Sequence, residues 1–209
     1  MNCAARAGAA EPADPRIAFF DRLAPRWDQE CSNPEETLRR LNELKGRLGL
    51  APGQDLLEVG CGTGQITGWL ASAVAPGRVV AVDFSPAMLA QARQRNLSAE
   101  FRLLDICSPE PLLDRFDIVL CFHAFPHFRR QCAALRHMAR SLKPGGRLFI
   151  LHLVGSAEIN TFHQKLEHPV CHDLLPSPEK WPDLLEAAGL ALASMVDQPD
   201  LFFLTARLS

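Results

Sequence analysis

A short apolar strand followed by a glycine-rich turn constrains this chain more than any other feature. Residues 56–64 have the sequence LLEVGCGTG, and the pattern predicts a helix that begins near Gln65. Glycine has no Cβ atom, so the backbone can bend sharply at such a turn and approach a ligand closely. The free N–H groups at the start of the following helix favour an anionic or polar ligand.

A second predicted strand ends in an acid at the distance that a nucleoside site requires. Residues 78–82 have the sequence RVVAV, and Asp83 follows them directly. A carboxylate about 20 residues beyond the turn can accept hydrogen bonds from both hydroxyl groups of a ribose. The turn and the acid together predict a site for a cofactor that contains a nucleoside.

The glycine spacing narrows the choice of cofactor. A dinucleotide site has the spacing G-x-G-x-x-G, whereas this turn has G-x-G-x-G preceded by Glu58. The pattern EVGCGTG, with Asp83 in AVDFSP, resembles motif I and the acidic second motif of class I S-adenosylmethionine-dependent methyltransferases. Two more segments resemble this family: FDRLAPRWD at 20–28, which there caps the cofactor pocket, and LKPGG at 142–146. The resemblance implies an enzyme that uses S-adenosylmethionine for methyl transfer.

The order of predicted elements indicates an α/β fold. Strands alternate with helices between residues 55 and 153, which predicts an open parallel sheet covered by helices on both faces. Two final strands, near 190–196 and 201–207, form a hairpin that inserts one antiparallel strand. By resemblance, we expect a Rossmann-like, doubly wound sheet of seven strands in the order 3-2-1-4-5-7-6.

The segments outside the sheet define the expected domain organisation. We expect residues 1–14 to be disordered and residues 15–209 to form one domain with cap helices at 15–48. Residues 155–177 have no strong hydrophobic period, and the family uses the corresponding insertion as a substrate lid. The apolar side chains of this insertion favour an apolar or aromatic small molecule as the methyl acceptor, although they could equally belong to the core.

The resemblance also assigns residues to the cofactor. The glycines would approach its methionine moiety, Glu58 would help to hold the methionine amino group, and Asp83 would bind the ribose. Asp105, in LLDIC, would accept a hydrogen bond from the adenine amine. The side chains that could sandwich the adenine ring include Met88, for which an ordinary core position is the alternative. The complete set is Glu58, Gly60, Gly62, Gly64, Asp83, Phe84, Met88, Asp105 and Ile106.

The histidines are concentrated in one part of the chain. All seven lie between His123 and His172. His123 and His127 follow the fourth predicted strand, in the loop that faces the transferable methyl group in the family. His152 lies near the end of the fifth strand, and His163 lies in the insertion. Topology therefore predicts that several imidazoles meet beside the methyl position.

Three interpretations of this cluster stay open. A general base for a hydroxyl acceptor would come from the catalytic candidates His127, His123 and His152. A divalent metal could instead be held by His127, His152 and His163, perhaps with Asp173 or Glu167. The third interpretation is that the histidines are structural: they pack against neighbouring side chains or cap helices and take no part in chemistry. Two alternative functions correspond to the second and third interpretations. One is metal-assisted chemistry other than methyl transfer, with the same fold and cofactor. The other is a non-catalytic subunit that binds the cofactor.

Composition limits the partners and the compartment. The net charge is −2 without a dense block of Lys and Arg, which disfavours nucleic acid as a partner. No apolar run approaches the 18 residues of a membrane span. The seven cysteines are odd in number and form no C-x-x-C pair, which favours reduced thiols and a cytoplasmic location. Oligomeric state is left open.

Overall fold

The computed structural model describes residues 14–30, 33–108 and 115–209. Its seven strands form one sheet in the order β3-β2-β1-β4-β5-β7-β6, which confirms the predicted topology. Only β7 is antiparallel to its neighbours, β5 and β6. The predicted disorder of residues 1–14 lies outside the described residues except at Asp14, which is buried and caps the first helix. The strands are β1 (Leu56–Val59), β2 (Val79–Asp83), β3 (Glu100–Leu103), β4 (Phe116–Phe122), β5 (Leu142–His152), β6 (Leu190–Gln198) and β7 (Leu201–Leu208).

Helices cover both faces of the sheet. Every residue of β1 and of β2 is buried, as expected for parallel strands with helices on both sides. One face buries Leu135 of α6 and Trp181 of α8, and the other buries Leu41 of α3 and Leu70 of α4. The helices are α1 (Pro15–Leu23), α2 (Trp27–Glu30), α3 (Pro34–Leu48), α4 (Thr67–Val74), α5 (Pro86–Gln94), α6 (Gln131–Arg140), α7 (Ser156–His163) and α8 (Trp181–Glu186).

Strand β1 lies beside the middle strand β4, and the order of the strands along the chain reverses between these two. It pairs with β2 on one side and with β4 on the other, all three running parallel. Successive helices therefore leave β1 and β4 on opposite faces, and a crevice opens beyond the carboxyl ends of these two strands. The glycine-rich turn after β1 and the histidine-containing loop after β4 meet at this crevice.

Residues 14–30, here called the cap segment, lie across the start of α5. Asp14 accepts a hydrogen bond from the backbone N–H of Arg16 and so begins α1. Asp21 accepts hydrogen bonds from the Ser85 hydroxyl and from the N–H of Ala87, which tie α1 to the start of α5. These polar contacts place the cap segment beside the end of β2.

Residues 155–177, here called the lid segment, contain a helix that the sequence did not predict. Asp197 on β6 accepts hydrogen bonds from the N–H and the hydroxyl of Ser156, so a distant residue caps α7. Asn160 then donates to the carbonyl of Leu175 and accepts from its N–H. Because these partners are remote in sequence, local periodicity could not reveal the helix.

Two further sequence expectations concern membrane-spanning segments and the state of the cysteines. Within the described ranges, no helix is both long and apolar enough to cross a membrane. The cysteines in those ranges are all free, in agreement with reduced thiols: Cys61, Cys107, Cys121, Cys132 and Cys171.

Candidate functional site

Two adjoining cavities occupy the crevice beyond β1 and β4. The narrow cavity, of about 80 Å³, extends toward α5 and the ends of β2 and β3. The wide cavity, of about 530 Å³, extends toward α3 and the lid segment. The residues that line both cavities, and therefore mark their junction, are Trp27, Gly60, Gly62, His123 and His127.

The narrow cavity contains most of the residues that the sequence assigned to the cofactor. Besides the two glycines of the junction, it is lined by Asp83, Phe84, Met88, Asp105 and Ile106. Three further residues also line this cavity: Asp14, Phe20 and Arg129. The FDRLAPRWD motif contains Phe20 and was a signal for it, but no local pattern pointed to Asp14 or Arg129.

Asp83 is a buried carboxylate at the end of β2, with 6% of its surface exposed. Its Oδ2 accepts a hydrogen bond of 2.8 Å from the N–H of Gly62, and its Oδ1 accepts one of 2.9 Å from the N–H of Ser85. Burial raises the pKa of Asp83 to about 6, although these N–H groups act in the opposite direction. Asp83 thus holds the glycine-rich turn and also borders the cavity.

Glu58 is buried at the carboxyl end of β1 and lines the wide cavity. Thr67 donates a hydrogen bond of 2.6 Å from its hydroxyl to Glu58 Oε2. Burial raises the pKa of Glu58 to about 8, the hydrogen bond from Thr67 opposes the shift, and the charge of Asp83 adds to it. A cation bound beside Glu58 would favour its ionised form.

The three glycines of the turn have different surroundings. Gly62 has a φ of +53° and no atom within 4 Å of the position that a Cβ would occupy, so its open side faces the cavities. A Cβ on Gly60 would lie 2.3 Å from the Cβ of Ala124. Gly64 borders neither cavity and packs against Ala92 of α5. Gly60 and Gly62 therefore line the cavities where the sequence predicts a ligand, whereas Gly64 permits the turn to pack on α5.

Asp105 follows β3 and already has partners. It accepts hydrogen bonds of 2.8 Å from the N–H of Cys107 and 3.0 Å from the guanidinium of Arg129. Arg129 also lies 3.6 Å from Asp14 of the cap segment. The carboxylate predicted to contact adenine is thus held at the wall of the narrow cavity by an ion pair.

Four histidines from three parts of the chain border the wide cavity: His123, His127, His152 and His163. The ring centroids of His127 and His163 are 4.9 Å apart, and those of His123 and His152 are 5.1 Å apart. The predicted convergence of histidines beside the end of β4 is therefore present in the structure.

His127 stands at the junction with one ring nitrogen engaged. Its Nδ1 lies 2.8 Å from Oδ2 of Asp173 in the lid segment. An ionised carboxylate can only accept, so Nδ1 carries the proton and Nε2 of the neutral ring keeps its lone pair. His127 therefore has the tautomer that a general base requires.

His123 has the opposite arrangement. Its Nε2 accepts a hydrogen bond of 3.1 Å from the N–H of Leu153, so the proton of the neutral ring is on Nδ1. Burial lowers the pKa of His123 to about 4, and the charges of Arg40 and of His127 in its protonated form act in the same direction. Its basic lone pair is already used, which favours His127 over His123 as a base.

The other two histidines are more enclosed. His152 is 2% exposed, its Nε2 has no hydrogen-bond partner, and burial lowers its pKa well below the usual value. The Nδ1 of His163 is bonded to the carbonyl oxygen of Asp173, and burial lowers the pKa of this ring as well. Both rings are therefore neutral at pH 7.

The predicted metal ligands His127, His152 and His163 border one cavity but do not form a metal site. Across the described part of the chain, no three or more His, Cys, Asp and Glu side chains are grouped so that they could hold a metal ion. The rings fall into two separate contacts, because His127 packs against His163 whereas His152 packs against His123.

Known proteins are similar in sequence to this chain. Residues 56–146 match a family described as a methyltransferase domain. The biotin biosynthesis bifunctional protein BioCD of Bordetella avium is 32% identical over 172 residues, which cover 82% of this chain and 36% of that protein. A ubiquinone biosynthesis O-methyltransferase of Xanthomonas oryzae is 34% identical over 141 residues, 63% of this chain and 57% of that protein. The chain thus spans only part of the length of these relatives.

A solved structure has the same architecture over nearly the whole chain. The structure described as the DhpI-SAM-HEP complex matches with a TM-score of 0.72 at 22% identity, covering 96% of this chain and all of that one. The family match over residues 56–146, the relatives and the shared seven-stranded fold confirm the predicted resemblance to the class I S-adenosylmethionine-dependent methyltransferases.

Proposed function

We propose that this chain transfers a methyl group from S-adenosylmethionine to the hydroxyl group of a small molecule with an apolar body. The observation that carries the proposal is the junction of the two cavities. Gly60, Gly62 and His127 line both cavities there, and Nε2 is the ring nitrogen of His127 that Asp173 does not engage. The narrow cavity suits a nucleoside, and the wide cavity is open to an acceptor.

The narrow cavity fits the adenosine part of this cofactor. Asp83 and Asp105 offer carboxylates, and apolar side chains of Phe84, Met88 and Ile106 line the space between them. A carboxylate at the end of the second strand suits both ribose hydroxyls. Bound there, S-adenosylmethionine supplies a methyl group on a positively charged sulfur.

The methionine end of the cofactor fits the turn after β1. Gly62 presents backbone without a side chain, and Glu58 lines the same side of the wide cavity. A charged amino group near the buried Glu58 would compensate its carboxylate. In this arrangement the turn would hold the methionine end of the cofactor beside the cavity junction that His127 also lines.

The wide cavity fits an acceptor with an apolar body. Its apolar side chains come from the cap segment, the end of β4, the residues after β5 and the lid segment, and they include Trp27, Phe122, Val154, Ile159 and Phe162. Polar side chains of α3, including Thr37 and Arg40, line the opposite wall. Such a mixture suits a small molecule that is mostly apolar and carries a few polar groups.

His127 would act as the general base. Methyl transfer is a displacement that depends mainly on in-line positioning, but a hydroxyl oxygen must lose its proton to become a good nucleophile. Nε2 of His127 accepts that proton, and Asp173 stabilises the imidazolium that forms. The relative named as an O-methyltransferase supports this class of acceptor.

A metabolite-class screen tests the proposal. S-adenosylhomocysteine release is measured with sets of apolar phenols and alcohols, and with matched amines and thiols. H127Q is expected to lower turnover by about 10²–10⁴ with cofactor affinity retained. H172Q, which changes an exposed histidine outside both cavities, is the control and should behave like the wild type.

The other outcomes decide against parts of the proposal. Release with amines or thiols alone would overturn the acceptor class, and unchanged turnover in H127Q would remove His127 as base. Cofactor binding without any transfer would favour the non-catalytic subunit. The cytoplasmic location and the lack of nucleic-acid or membrane partners stay predictions from composition.

A further inference from the structure

Asp173 is a buried carboxylate in the lid segment with two basic partners. Its side chain is 1% exposed. Oδ2 lies 2.8 Å from Nδ1 of His127, while Arg16 of α1 donates from Nε to both oxygens at 2.9 and 3.0 Å and from its terminal nitrogen to Oδ1. Burial acts to raise the pKa of Asp173, but the hydrogen bonds from His127 and Arg16 outweigh it and lower the pKa.

We propose that Asp173 is a positioning residue for His127, and that Arg16 makes its effect depend on the cap segment. The inference rests on the proposed role of His127 as the base. Asp173 keeps the proton of the neutral ring on Nδ1, directs Nε2 to the cavity junction and stabilises the imidazolium after proton transfer. Arg16 holds the carboxylate in the orientation that this requires.

The contacts of Arg16 couple the base to the cap segment. Arg16 also bonds to Asp14, and both lie in the segment whose Phe20 and Trp27 line the narrow cavity. Phe20 packs edge-on against the ring of His127, with centroids 4.9 Å apart. The base is therefore correctly oriented only when the cap segment lies over the cofactor cavity, so base and cofactor site are assembled together.

The hydrogen-bond pattern predicts the effect of an isosteric change. In D173N, the amide oxygen would face Arg16, which can only donate, and the amide NH₂ would face His127. Nδ1 of His127 would then have to accept, and its proton would move to Nε2. The lone pair at the cavity junction would be lost although the side chain keeps its shape.

Nitrogen NMR of the histidine side chains tests this without cofactor or acceptor. The His127 signals are assigned by their loss in H127Q, and D183N, which changes an exposed acid on α8, is the control. Wild type and D183N are expected to carry the proton on Nδ1 and D173N on Nε2.

Activity supplies the second measurement. With an acceptor from the screen, D173N should lose about 10²–10⁴ in turnover while its affinity for S-adenosylmethionine stays within about threefold. A proton that stays on Nδ1 of His127 in D173N would overturn the inference, and Asp173 would then only hold the lid segment to Arg16. If no acceptor is methylated by the wild type, the proposed function fails, while the NMR result still decides the role of Asp173.

A second variant keeps the test decisive if D173N does not fold. R16Q leaves the carboxylate beside His127 but removes a positive charge behind it. Without Arg16 the carboxylate of Asp173 is no longer held in one orientation, so a smaller fraction of the His127 rings should carry the proton on Nδ1. An unchanged tautomer population in R16Q would overturn the dependence on the cap segment.

Discussion

Thr67 donates a hydrogen bond of 2.6 Å to Oε2 of Glu58, and both side chains are buried beside the glycine-rich turn. The pKa of Glu58, raised to about 8 by burial, means that this acid is mostly protonated at pH 7 in the free protein. A ligand with a charged amino group at this wall of the wide cavity must therefore change the protonation state of Glu58.

Cofactor binding at pH 7 is expected to release a proton. The amino group of S-adenosylmethionine would stabilise the carboxylate of Glu58 and lower its pKa. Calorimetric titration in two buffers that differ in ionisation enthalpy measures the number of protons released. E58Q cannot ionise and should remove the buffer dependence. Equal heats in both buffers for the wild type would place the amino group elsewhere.

The stability of the ligand-free protein should decrease with pH because of Glu58. The unfolded state loses this proton near 4.5, whereas the folded state keeps it until about 8. Between these values the folded state binds more protons, so the free energy of unfolding falls by about 1.4 kcal/mol per pH unit for this group.

Comparison with E58Q isolates that effect. The buried His123 and His152, whose lowered pKa values act in the opposite sense below pH 6.5, are present in both proteins. Urea unfolding between pH 5 and 8 should show the wild type losing stability relative to E58Q. Parallel curves would mean that Glu58 is already ionised in the folded state.

Replacing Asp83 by Asn should weaken cofactor binding by about 2–4 kcal/mol, or roughly 30- to 1000-fold in Kd. A neutral amide cannot accept from both ribose hydroxyls and also from the N–H groups of Gly62 and Ser85. Thermal unfolding separates loss of the fold from loss of binding. Wild-type affinity in a folded D83N protein would remove Asp83 from the site.

A side chain at Gly62 should block the cofactor. Gly62→Val would place a branched group in the open space at the cavity junction, and binding should be lost. Gly53→Val is a matched control, because Gly53 also has a positive φ and open space around it, but is exposed outside both cavities. Equal cofactor affinity in the two variants would show that backbone strain alone, not occupation of the junction, matters at Gly62.

The lid segment should exchange its amide hydrogens faster than the central strands in the free protein. Loops and short helices at the surface open more readily than a buried parallel sheet. Exchange at residues 155–177 should slow when cofactor and acceptor are both bound. N160A, which removes both hydrogen bonds to Leu175, should speed exchange in this segment and leave β1 unaffected. Identical protection in all ligand states would indicate a static lid segment.

The sequence alone was sufficient for the features that depend on neighbouring residues. The turn after β1, Asp83 at the end of β2 and the alternation of strands and helices follow from hydrophobic periodicity and turn chemistry, which act over a few residues. The order of the seven strands was instead implied by the family resemblance, and the structure confirms it. The histidine cluster was also predictable, because the carboxyl ends of parallel strands meet at one edge.

Only the tertiary structure decided how the individual residues at the carboxyl edge of the sheet are paired. The partner of His127 is Asp173, 46 residues away, and the cap of α7 is Asp197, 41 residues away. Gly64 has the same spacing in the motif as its neighbours, yet it packs on α5 instead of bordering a cavity. Hydrogen-bond partners, and therefore tautomers and pKa values, are set by side chains that folding brings together. No local pattern contains them, because the pairing depends on where each segment lies in space.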